Sequence, residues 1–136
     1  MAKIVTTEKI SWPNATVILR FRVSTRHPVR IVSEAIPNSD ASGDYPRITV
    51  GGRNNALPTE SDVTLNYRSV FQEDVDDKHL LIAIWFIQID ENDAKYDIDI
   101  SLIAKYREGR INVFEQSFDG ELSDHVDYLM VKIPIE

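Results

Sequence analysis

The chain has 136 residues, 43% of them hydrophobic and 27% charged, which is enough apolar material for one globular domain and too much for disorder. It holds no cysteine, which excludes disulfides, thiol nucleophiles and cysteine-ligated metal, and its net charge of −7 argues against nucleic acid, whose phosphates call for a basic surface. Residues 1–68 carry nine Lys and Arg against six Asp and Glu while residues 69–136 carry six against sixteen, an imbalance satisfied either inside one molecule or between molecules that meet basic part to acidic part.

The opening stretch MAKIVTTEKISW lacks the continuous apolar run of a signal peptide, and no segment reaches the roughly 18 apolar residues of a membrane span. The expectation is a cytoplasmic protein, or one released without a conventional signal peptide. Residues 1–12 are expected to dock as an N-terminal arm on a single domain spanning 1–136. Asn14-Ala15-Thr16 has the form of a glycosylation acceptor, which without a secretory signal reads as chance.

In TVILRFRVS, Val17, Leu19, Phe21 and Val23 share one face and Arg20 and Arg22 the other, the pattern of a half-buried strand. Val29 and Ile31 resume it after His27 and Pro28, which predicts a hairpin. Pro37 to Pro46 reads as a loop, RITV as a short strand, and Gly51 to Ser61 as a second loop. Val63, Leu65 and Tyr67 then share one side of a strand. Residues 69–78 have the one plausible helix signal, with Ser69 as a cap and Gln72 three residues on.

Leu80 to Ile89 is apolar on both faces: Leu81, Ala83, Trp85, Ile87 and Ile89 on one, Leu80, Ile82, Ile84 and Phe86 on the other. Tyr96 to Tyr106 alternates cleanly, with Asp97 and Asp99 on its polar side, and reads as the neighbouring strand. Turns at Glu108-Gly109 and at Asp119 to Glu121 enclose RINVFEQSF, and VDYLMVKIPI closes the chain. Many short strands separated by turn residues predict an all-β fold, an antiparallel β-sandwich of jelly-roll or Greek-key type with about eight strands.

In a two-layer sandwich the chain covers only the inner face of each sheet, so Leu80, Ile82, Ile84 and Phe86 are expected to be covered by a loop, the N-terminal arm or another subunit. Asp97 and Asp99 on one outward face can bind a cation or pair with Arg20 and Arg22 on another strand or another molecule. These eight residues form the candidate interface. Strand parity gathers Asp90, Asp93, Asp119 and Asp124 at one end of the fold, and such carboxylates on turns are ligand types for calcium, so a calcium site is the candidate metal site.

No nucleophile-elbow, zinc-protease, phosphate-loop or dinucleotide motif occurs, and the three histidines, at 27, 79 and 125, are scattered. The resulting expectation is a non-enzymatic binding or self-assembling structural protein, with itself or another protein as partner. The alternatives are a calcium-assisted, lectin-like module for carbohydrate or membrane, and a small acidic inhibitor or immunity-type protein.

Overall fold

The computed structural model describes residues 3–23, 29–36, 47–53, 59–65, 78–87 and 94–136. Nine strands account for most of them: β1 (Lys3–Thr6), β2 (Thr16–Val23), β3 (Val29–Ile36), β4 (Arg47–Arg53), β5 (Thr59–Leu65), β6 (His79–Ile87), β7 (Lys95–Lys105), β8 (Arg110–Glu121) and β9 (Val126–Pro134). No helix occurs among the described residues; the helix expected at 69–78, the turn at His27 and Pro28 and the loop from Pro37 to Pro46 lie outside them, apart from Lys78.

The strands form two sheets, one in the order β1-β9-β6-β3-β4 and the other in the order β5-β2-β7-β8. All strand pairs are antiparallel except β1 with β9. Only β3–β4 and β7–β8 are consecutive strands paired as hairpins, and every other connection carries the chain from one sheet to the other. This is an antiparallel β-sandwich with Greek-key character.

The strand pairing and the strand bounds correct four expectations. β2 and β3 are not a hairpin, because β2 pairs with β5 and β7 while β3 pairs with β4 and β6. β6 and β7, read as neighbours, lie in opposite sheets. Asp119 to Glu121 are not a turn but the end of β8, where Gly120 leaves room for the Tyr96 ring against the strand. The expected loop from Gly51 to Ser61 is also shorter, since β4 continues through Arg53 and β5 begins at Thr59.

Alternation explains which side chains meet. Val17, Leu19, Phe21 and Val23 of β2 point inward with Ile98, Ile100 and Leu102 of β7, against Leu129, Val131 and Ile133 of β9 in the other sheet. Each such buried side chain contributes about 1.5–3 kcal/mol relative to exposure, so this single apolar layer is the main source of stability.

β1 adds an edge to β9, with Lys3 opposite Leu129 and Thr6 opposite Lys132. The chain beyond it stays with the C-terminal residues: Thr7 N donates to Lys132 O at 2.9 Å, Ile10 N to Pro134 O at 3.0 Å and Glu136 N to Ile10 O at 2.8 Å.

Candidate functional site

β6 occupies the middle of the five-stranded sheet, between β3 and β9. Leu80, Ile82, Ile84 and Phe86 point into the sandwich and are all but inaccessible. As candidate interface residues they are therefore corrected: the second sheet of the same chain covers them, so they belong to the core. The outward half of the strand is Leu81, Ala83, Trp85 and Ile87. The β6–β9 register sets these beside Lys132, Met130, Tyr128 and Val126, in that order.

An apolar strip follows on the outer face. Ile87 is 45% exposed, Val126 54% and Tyr128 36%, with Trp85 and Met130 half-buried between them. Ile4 of β1, opposite Met130, extends the strip and is 67% exposed. Within the strip the only charged side chain on β6 or β9 is Lys132, at one end. Apolar residues that gather in this way on a surface mark contact sites, whereas isolated ones do not. The apolar sequence of β6 does call for cover on two sides, but the half that faces outward is Leu81, Ala83, Trp85 and Ile87 rather than Leu80, Ile82, Ile84 and Phe86.

The outer face of the four-stranded sheet is charged. The Arg20 guanidinium makes two bonds to Asp62 on β5, Nε to Oδ1 at 2.8 Å and Nη2 to Oδ2 at 3.0 Å. The hydrogen bond from Arg20 holds the Asp62 carboxyl below its ordinary range, partial burial opposing it. Arg22 stands opposite Asp99 in the β2–β7 register, and Asp99 accepts a bond from Ser117 Oγ at 2.6 Å. Part of the charge imbalance is thus met within one chain. Asp97 faces a different neighbour, since its partner across the ladder is Asp119.

At the Asp119 end, Leu122 N donates to Ala94 O at 2.8 Å, which ties the start of β7 to the turn after β8. Of the four candidate calcium ligands, Asp119 lies exposed on β8 and Asp124 in that turn, and Asp90 and Asp93 lie outside the described residues. Among the described residues no group of three or more His, Cys, Asp or Glu is placed to hold a metal ion.

The carboxylate that does organise this end is Asp127, which is buried. It accepts bonds from Ser123 N at 3.0 Å, Ser123 Oγ at 3.2 Å and its neighbour Tyr128 N at 2.9 Å. Burial works against its charge, but these donors prevail and its carboxyl titrates below the ordinary range. The sequence signal was Ser123 four residues before Asp127, a spacing that suits a side chain closing its own turn.

Beside Asp127 opens a cleft of about 410 Å³ whose walls include Lys3, Phe86, Tyr96, Leu122 and Tyr128. Phe86 and Tyr96 meet across the two sheets with ring centroids 4.8 Å apart. Burial pushes the Tyr96 phenol up from its usual value, and the charges of Asp127 and Asp119 add to the shift. The described histidines do not converge on this cleft with a nucleophile: His79 starts β6 opposite Pro134, whereas His125 is in the turn before β9. Searches of protein-family models, curated proteins and solved structures gave no match to the chain.

Proposed function

We propose that this protein works by binding, as a self-associating β-sandwich whose contact is the outward apolar strip of β6 and β9. The observation that carries the reading is the row Ile87, Val126 and Tyr128, three neighbouring large apolar side chains each more than a third exposed. The occupant it fits is a second copy. With a net charge of −7, two copies repel over most of their surface, and the β6 and β9 positions of this strip carry a single charge, Lys132. Face-to-face packing would remove apolar area from water at about 25 cal/mol per Å².

Sedimentation over a concentration series tests the reading, comparing the parent with Tyr128→Glu and Ile87→Lys. The expected result is self-association of the parent that is weakened in both variants, with melting temperatures little changed. Equal association of parent and variants would remove the strip from the contact.

A further inference from the structure

We infer that β8 is a second self-contact, at which two copies pair their β8 strands antiparallel about a two-fold axis near Gln116 and join two four-stranded sheets into one of eight. The inference rests on the reading that the protein associates with itself, but it uses a different surface from the apolar strip.

β8 is the edge of its sheet, twelve residues long, and no described strand pairs with its other side. An edge strand presents a row of backbone donors and acceptors to any strand that approaches it, and proteins usually blunt such edges with shortness, proline, charged side chains (lysine above all) or a bulge. β8 has no proline and no lysine. Its one irregularity is at Val113, where the register with β7 shifts. Most of its side chains are exposed, and Ile111 is 58% exposed.

Charge decides the direction of pairing. The tip of the β7–β8 hairpin carries exposed Lys105, Arg107 and Arg110 around a single Glu108. The opposite end carries exposed Asp97, Asp119 and Glu121 with Lys95. Parallel pairing of two such ribbons would set basic tip beside basic tip and acidic end beside acidic end. Antiparallel pairing sets tip beside acidic end, at both ends of the contact.

The register follows from the β7 ladder. With Val113 left out, Arg110 lies five paired positions before Gln116 and Glu121 five after. Their β7 partners, Lys105 and Lys95, both lie on the outer face, so Arg110 and Glu121 do as well. Centring the pair on Gln116 therefore sets Arg110 of each copy opposite Glu121 of the other on one face, and Phe114 opposite Phe118 on the inner face. Such a contact is self-complementary and closes at two copies.

A charge swap tests it. Arg110→Glu and Glu121→Arg each place like charges at both ends of the contact, and each is expected to weaken the β8 dimer about tenfold or more. An equimolar mixture of the two single variants restores opposite charges at both ends, so it should associate as the parent does. The double variant should also recover. Circular dichroism and melting confirm that the variants fold. Hydrogen exchange in the parent should slow with concentration at β8 amides. If the parent associates and neither single variant alters it, or if the mixture fails to recover, the β8 contact is overturned while the apolar strip stands. If instead Tyr128→Glu leaves association intact and the charge swap controls it, the strip is overturned and β8 stands. A parent that stays monomeric at every concentration overturns both.

Discussion

Tyr96 stands directly across the β7–β8 ladder from Gly120, and its phenol fills the space that a β-carbon on residue 120 would need. That carbon would lie 2.8 Å from the hydroxyl oxygen and 3.0 Å from two ring carbons. Gly120 is therefore a glycine because an aromatic ring takes the place of its missing side chain. Gly120→Ala should cost about 1–3 kcal/mol as the ring is forced from its site beside Phe86. Urea denaturation measures this, and an unchanged midpoint would mean that the ring relocates freely.

The two faces of β6 should answer mutation differently. Ile82→Ala empties part of the core and should lower stability by about 2–5 kcal/mol without any direct effect on association. Ile87→Lys, on the outward face, should change stability by about 0.5 kcal/mol or less. Denaturation and sedimentation on the same samples separate the two. Loss of association in folded Ile82→Ala at full parental stability would return the inner face to the interface.

Asp127 makes stability depend on pH. Its folded-state pKa is depressed, so its contribution is present above the unfolded value, about 4, and is lost as pH falls through the lower folded value. Asp62, held down chiefly by its bond from Arg20, has the same sign. Asp127→Asn should cost about 1–3 kcal/mol at neutral pH, since an amide cannot accept from Ser123 and Tyr128 with both of its ends. The variant should also lose less stability than the parent on acidification. Parallel pH–stability curves would show that another group carries the acid dependence.

Asp97 and Asp119 are like charges set directly opposite. Asp119→Asn should therefore raise stability by about 0.2–1 kcal/mol at low salt. The gain should shrink as salt rises and screens the repulsion. Thermal melts at two ionic strengths would expose the opposite result, a loss, if Asp119 accepted bonds that outweigh the repulsion.

Much of the fold was legible because side-chain alternation reports which residues share a face. Val17 to Val23 and Tyr96 to Leu102 were readable in this way, and the core contains the halves that alternation selected. Pairing was less legible. The residues that turn a hairpin also turn a chain from one sheet to the other, so β2 with β3 and β6 with β7 looked like neighbours. Nothing in an all-apolar strand marks which half faces in; the register with Asp127 to Ile133 of β9 decides it for β6. Of the site, the outward Arg20, Arg22, Asp97 and Asp99 were legible from their strands. Asp127 was seen as one acid among many, because its burial depends on a turn that closes only in three dimensions.

The parallel pairing of β1 with β9 bears on how the protein is made. Lys3 to Thr6 have no described partner strand except Leu129 to Lys132, so an early segment of the nascent chain must wait for one that leaves the ribosome much later. β6 waits for the same strand on one of its sides. The five-stranded sheet therefore closes only once β9 has been made, through pairings of long sequence separation, and such folds gain their final structure slowly. During that interval one backbone edge of the apolar strand β6 stands unpaired, and a cell producing this chain must keep such edges from one another until β9 arrives.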